Sequence, residues 1–132
     1  MKIIRLACLF FGLVTLAACQ TTSLTPATSD QVVTQISGVW KGSFINDKGS
    51  RFPMTFNIKG RHGSIAGDAH IPDSSFDKRP KLSGHYAGSK ITITTSSDFT
   101  YDLTMSVSED GTYWLKGPAS GANSGRAELK RQ

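Results

Sequence analysis

Apolar and polar side chains alternate along most of the chain after residue 37. In residues 51–59 and 98–108, every second side chain is apolar, which predicts strands with one buried face and one solvated face. Turn sequences rich in Gly, Asn and Asp, such as residues 46–49 and 60–63, separate these stretches. The pattern predicts eight strands, over residues 38–46, 51–59, 63–71, 81–87, 90–96, 98–108, 112–117 and 125–131.

Eight short strands joined by tight turns favour an all-β domain over residues 37–132. A closed antiparallel up-and-down barrel removes the exposed strand edges that an open sheet leaves, and a two-sheet sandwich is the alternative. The positions predicted to point inward carry Trp40, Phe44, Phe52, Phe56, Tyr86, Phe99, Tyr101 and Tyr113. Because the burial of each such side chain, worth about 2 kcal/mol, has to offset chain entropy, we expect a filled interior.

The first and last predicted strands carry a recognisable combination of residues. Gly38, Val39 and Trp40 begin the first strand, and Arg126 or Arg131 of the last strand is placed to cover that tryptophan. This combination resembles the G-x-W motif of lipocalins and avidins, and the resemblance implies a small calycin-type eight-stranded barrel. Avidins line their biotin site with several tryptophans, so biotin is not the expected ligand here.

The chain begins with a segment of different character. Residues 6–18 are apolar and follow a positively charged start, and this stretch is shorter than the roughly 20 residues that span a bilayer. Residues 1–18 are therefore predicted to be a signal peptide. Leu16-Ala17-Ala18-Cys19 resembles the bacterial lipobox, which implies cleavage before Cys19 and acylation of its thiol.

The residue after the lipobox bears on localisation. Gln20 occupies the position at which an aspartate retains enterobacterial lipoproteins at the inner membrane, so the resemblance implies the outer membrane. Both the periplasmic and the external side of that membrane are alternatives. Residues 20–35 are rich in Thr, Ser, Ala and Gln, and we predict a flexible tether over residues 19–36.

Charge and cysteine content exclude other classes. Loss of the two basic residues of the signal leaves 13 Lys and Arg against 10 Asp and Glu, scattered along the chain, so a nucleic-acid partner is not expected. Cys8 leaves with the signal and Cys19 is acylated, so the mature chain forms no disulfide. Bacterial protease-inhibitor barrels, which the domain also resembles, usually contain one.

Three residues raise the question of a metal. If Ile71 lies opposite Leu82 in a hairpin, then Asp68 lies opposite His85, with His70 diagonal on the same outer face. A carboxylate and two imidazoles are zinc ligands. Polar residues on a solvated sheet face are common without any metal, and we predict neither a metal site nor a cofactor.

The sequence offers little for catalysis and one candidate for binding. Residues 121–125 lack the G-x-S-x-G spacing of a nucleophile elbow. Asp102 could act as a general base only in a cleft that removes it from water. We therefore do not expect this protein to be an enzyme. Trp114 is predicted on the outer face beside Lys116 and across from Ser106, as a contact for a protein or a glycan. The alternative is that the tether or the following loop covers it.

These observations lead to one hypothesis and two alternatives. The chain is expected to be a lipid-anchored, non-catalytic binding or inhibitory module for an envelope protein. A structural component of the outer membrane and a carrier of a small apolar ligand in the barrel are the alternatives.

Overall fold

The computed structural model describes residues 23–132. This part of the chain contains β1 (Leu24–Pro26), α1 (Ser29–Gln35), β2 (Gly38–Asn46), β3 (Arg51–Arg61), β4 (Ser64–His70), β5 (Lys81–Ala87), β6 (Lys90–Thr95), β7 (Thr100–Ser108), β8 (Tyr113–Ser120) and β9 (Gly125–Arg131). Each strand from β2 to β8 pairs antiparallel with the next, and β9 closes the sheet against β2. The predicted eight-stranded up-and-down barrel is confirmed, with β1 as an additional strand beside β7.

Tight turns and close strand contacts shape the barrel. The β3–β4 hairpin turns at His62 and Gly63, whose φ angles of 51° and 80° suit a two-residue hairpin loop. At Gly67 of β4, a Cβ would lie 1.9 Å from the carbonyl oxygen of Asn57. A side chain cannot fit there, so this glycine permits the close approach of β3 and β4.

The interior is filled by the side chains that the alternation assigns to it. Trp40 and Phe56 are 0% exposed and Leu103 is 1% exposed. Among the other aromatic residues predicted to point inward, Phe44, Phe99 and Tyr101 are also buried. Phe52, Tyr86 and Tyr113 are partly buried against the same core. The predicted inward face is therefore confirmed.

The segment around α1 closes one end of the barrel. Thr28 and Gln31 form a capping box, in which the Gln31 backbone N–H donates to Thr28 Oγ1 at 3.3 Å. Val32 and Ile36 are fully buried in the core. The Ile36 carbonyl accepts a hydrogen bond of 3.0 Å from the Trp40 indole N–H, which joins the helix end to the barrel interior.

The prediction of a flexible tether over residues 19–36 is wrong for residues 23–36, which pair with β7 and pack on the core. Regular structure is therefore present N-terminal to residue 37, from Leu24 onward within the described residues. The prediction rested on the polar composition of this segment. It did not take into account that Val32 and Ile36 lie one helical turn apart and can pack on the core from the same face of a helix. Residues 1–22, including the predicted signal peptide and Cys19, lie outside the described residues.

Arg131 is the arginine that meets the first strand. It lies opposite Trp40, and its guanidinium donates to the carbonyls of Gln35 and Ser37, each at 2.8 Å. These charge-assisted bonds tie β9 to the end of α1. Arg126, the alternative from the sequence, lies opposite Ile45 farther along the barrel.

Candidate functional site

The barrel end opposite α1 is open, and we call this opening the mouth cleft. The β4–β5, β6–β7 and β8–β9 loops surround it, and its volume is about 470 Å³, counting the space that opens to solvent. Its apolar lining consists of Phe44, Phe52, Met54, Ile71, Phe76, Phe99 and Tyr101. The cleft is therefore an aromatic surface at one end of an otherwise filled barrel.

Phe99 is the centre of the aromatic cluster. Its ring centroid lies 5.6 Å from that of Phe76 and 6.1 Å from that of Phe44, both edge to face, and 6.5 Å from Tyr101. Phe52 extends the cluster, with its centroid 6.1 Å from Phe44. Aromatic pairs at these distances hold one another in defined orientations, so the lining is pre-arranged.

Tyr101 forms the floor of the mouth cleft. It is 2% exposed, its hydroxyl donates to Met54 Sδ at 3.7 Å, and its ring meets Phe56 edge to face at 5.4 Å. Burial raises the pKa of Tyr101 to about 12, so the hydroxyl stays neutral at physiological pH. The floor is uncharged, and the packed rings beneath it close the interior to a ligand.

Phe76 forms the rim, and its side chain is 46% exposed. The loop that carries it is fixed at several points: the Phe76 N–H donates to Ser74 Oγ at 3.0 Å, and the Ile71 N–H donates to the Lys78 carbonyl at 2.8 Å. Pro80, at the end of the loop, is fully buried. The exposed ring is therefore held over the opening by an ordered loop.

The polar groups of the cleft are few and neutral. Among residues 23–132, Ser74, Ser75, Ser97 and Asn123 complete the lining, and none of the lining residues is charged. Apolar walls with a few neutral hydrogen-bonding groups are typical of sites that bind apolar groups. The lining formed by the described residues is therefore suited to binding an apolar group.

The predicted contact residues lie on a different surface. Trp114 pairs with Ser106 as predicted, it is partly buried, and the Lys116 Nζ lies 4.7 Å from the centroid of its ring. Trp114 also lies opposite Lys130 of β9, near the α1 end of the barrel. Trp114 and Lys116 are thus neighbours on the outside, remote from the mouth cleft in the strand register.

The assumed register of the metal candidates is wrong. Asp68 lies opposite Lys81 and His85 opposite Ser64, a slip of four residues from the predicted pairing. Asp68 instead accepts a hydrogen bond of 3.0 Å from the side-chain amide of Asn57. Within residues 23–132, no three His, Cys, Asp or Glu side chains form a group that could hold a metal ion.

Two other carboxylates, Asp102 and Asp110, lie outside the mouth cleft. Asp102 is exposed on β7 opposite Thr92, outside the mouth cleft. Hydrogen bonds from the Ser108 hydroxyl and the Thr112 N–H lower the pKa of Asp110 to about 2, in an exposed turn where they fix the β7–β8 connection. Neither carboxylate faces a cleft in which it would be desolvated for acid–base work.

The residues of the mouth cleft were not predicted as a site from the sequence, because its aromatic side chains fit the predicted core equally well. The available signal was Phe76, an aromatic side chain in a loop rich in Pro, Ser and Asp. Comparison with family models, curated proteins and solved structures finds no match to this chain. Among residues 23–132, no helix has the length and apolar character needed to cross a membrane.

Proposed function

We propose that this chain is a lipid-anchored binding module of the bacterial outer membrane, attached through an acylated Cys19, and that it binds a protein partner without catalysis. The observation that carries the proposal is the mouth cleft, an aromatic surface left open at one end of a filled barrel. An apolar cleft with an exposed aromatic side chain at its rim, here Phe76, offers a pocket that an apolar side chain of a partner can fill. Where the partner is an envelope enzyme, binding is expected to inhibit it.

The shape of the cleft favours an apolar side chain of a partner as the occupant. Tyr101 and Phe56 fill the space beneath the opening, so the cleft is shallow and a long ligand cannot extend into the barrel. Protein interfaces concentrate their binding energy in a few side chains that fill such pockets. Phe76, already ordered at the rim, would lose little conformational freedom on binding.

A small apolar ligand is the second candidate. Apolar walls with a few neutral hydrogen-bonding groups are also found in small-molecule sites. Ser97 and Asn123 would supply the orienting hydrogen bonds. The two candidates differ in what the cleft would retain from an envelope extract: a stoichiometric protein, or a small molecule alone.

The test compares two exposed apolar side chains at opposite ends of the barrel. Phe76 is 46% exposed at the cleft, and Val33 is 64% exposed on α1. The purified protein is immobilised and incubated with detergent-solubilised envelope extract. We expect wild type and Val33→Ala to retain the same stoichiometric partner, and Phe76→Ala to retain about tenfold less.

Two results would contradict the proposal. Equal recovery of the partner by all three proteins would place its binding site outside the mouth cleft. Saturable binding of anilinonaphthalene sulfonate that Phe76→Ala abolishes, with no protein retained by wild type, would favour the small-ligand carrier.

A further inference from the structure

A second surface lies on the outside of the barrel near α1. In the strand register, Trp114 of β8 lies between Ser106 of β7 and Lys130 of β9, and Lys130 lies opposite Lys41 of β2. Lys116, two residues after Trp114, places its Nζ 4.7 Å from the ring centroid. Trp114, Lys41, Lys116 and Lys130 form what we call the tryptophan–lysine face.

Two carboxylates beside this face reduce its charge without cancelling it. Glu128 lies opposite Lys116, and its carboxylate lies 3.5 Å from Arg126 Nε. Asp110 is ionised, because hydrogen bonds lower its pKa to about 2, and its charge acts on Lys130. Three lysines and Arg126 against two carboxylates leave the surface around the partly buried indole ring with a net positive charge.

The predicted anchor joins the domain at this same face. Pro26 of β1 lies opposite Ser106, whose other neighbour is Trp114, so two strand spacings place Pro26 about 10 Å from Trp114. Cys19 precedes Leu24 by five residues, a stretch of chain that reaches at most about 18 Å. A lipid on Cys19 thus keeps the face within short reach of the bilayer surface.

We propose that the tryptophan–lysine face docks on the membrane that holds the anchor, with its lysines on anionic phospholipid headgroups and Trp114 at the interface. The proposal rests on the acylation of Cys19 proposed above. Tryptophan is enriched at membrane interfaces, and lysines near an anionic surface each strengthen the attachment. The short connection raises the local concentration of headgroups at the face, so a few lysines are sufficient.

Docking in this manner has a consequence for the mouth cleft. The cleft lies at the end of the barrel opposite α1 and β1, away from the anchored end. The docked domain therefore keeps the cleft open to solvent and limits the orientations in which a partner meets it. Lipid contact and partner binding then occupy different surfaces of one small barrel.

The test uses the two tryptophans of the chain. Trp40 is fully buried, so Trp114 is the residue that acyl-chain quenchers should reach. The mature lipidated protein is reconstituted into vesicles of brominated phosphatidylcholine, with or without phosphatidylglycerol. We expect at least twofold stronger quenching with phosphatidylglycerol, its loss in high salt, and its absence in Trp114→Phe.

Charge variants make the test specific. Replacement of Lys41, Lys116 and Lys130 by Gln should abolish the phosphatidylglycerol effect, whereas the same replacement at Lys48, Lys59 and Lys78 should preserve it. Two outcomes for vesicle-bound protein would overturn the docking proposal. In the first, Trp114 is quenched equally with and without phosphatidylglycerol; in the second, both triple variants show the same quenching. If peptidoglycan fragments bind at Trp114 and protect it from quenching, and phosphatidylglycerol has no effect, the docking proposal is also overturned. A glycan would then be the ligand of this face.

Failure of the anchor can be told apart from failure of the face. Mass spectrometry of the purified protein reports whether Cys19 carries acyl chains. The mature chain with Cys19→Ser is then sedimented with the same vesicles without bromine. At low ionic strength and with a large excess of lipid, which replace the local concentration that the anchor supplies, we expect at least twofold more protein bound with phosphatidylglycerol than without it. Equal binding under these conditions would overturn the docking proposal whatever the state of Cys19.

Discussion

Phe56→Ala tests whether the barrel interior is as filled as its packing indicates. Phe56 is 0% exposed, it lies between Trp40 and Ala69 in the strand register, and its ring meets Tyr101 edge to face at 5.4 Å. Eight hydrogen-bonded strands surround it, so the walls cannot collapse far into the space that the ring vacates. Truncation should therefore leave a cavity in addition to the lost burial.

The magnitude follows from these two contributions. The lost burial costs about 2 kcal/mol, and a cavity on the order of 100 Å³ adds about 2.4 kcal/mol at 24 cal/mol per Å³. We expect Phe56→Ala to lower the free energy of unfolding by about 4 kcal/mol. In urea titrations followed by circular dichroism, with a slope of about 1.5 kcal/mol/M, the midpoint should fall by about 2 to 3 M.

Lys59→Ala is the matched control, because Lys59 is an exposed residue of the same strand. Its free energy of unfolding should stay within about 0.5 kcal/mol of wild type. A loss below about 1 kcal/mol for Phe56→Ala, together with saturable binding of an apolar dye by wild type, would refute the filled interior. The small-ligand carrier would then become the better account of the barrel.

Three further predictions concern the helix, the floor of the mouth cleft and the anchor. Ile36→Ala should lower the free energy of unfolding by about 2–5 kcal/mol in urea, whereas Val33→Ala on the exposed side of α1 should have little effect. Burial raises the pKa of Tyr101 to about 12. The stability that the neutral Tyr101 side chain contributes to the folded state is therefore fully present below pH 10 and is lost as the pH rises through 12. Wild type should lose roughly 3 kcal/mol over that range in unfolding titrations, and Tyr101→Phe should not. Cys19→Ala should leave unprocessed precursor at the inner membrane, and incorporation of labelled palmitate by that variant would contradict the anchor.

The barrel strands were predictable because alternation of side chains is a local property of a strand. Phe56 and Leu103 stand in stretches whose period of two fixes which side chains point inward, whatever their partners. Closure of the barrel followed from the number of strands and the need to cover strand edges. The predicted bounds of β2, β5 and β9 agree with the structure for the same reason.

Features that depend on tertiary contacts were not predictable in this way. The nine residues between Ile71 and Lys81 do not fix the register of β4 on β5, so Asp68 and His85 were placed opposite each other wrongly. A seven-residue helix such as α1 gains its stability from packing on the barrel, and a polar sequence gives little indication of it. Phe99 differs from a core aromatic residue only by its place at the open end.

We propose that the mouth cleft is the surface through which this protein binds a partner. Titration calorimetry between the partner recovered from the envelope and the intact protein measures it directly, with Phe76→Ala at the cleft and Val33→Ala at the opposite end. We expect binding at least tenfold weaker for Phe76→Ala, a loss of about 1.4 kcal/mol or more, and an unchanged dissociation constant for Val33→Ala. Equal dissociation constants for wild type and Phe76→Ala would contradict it.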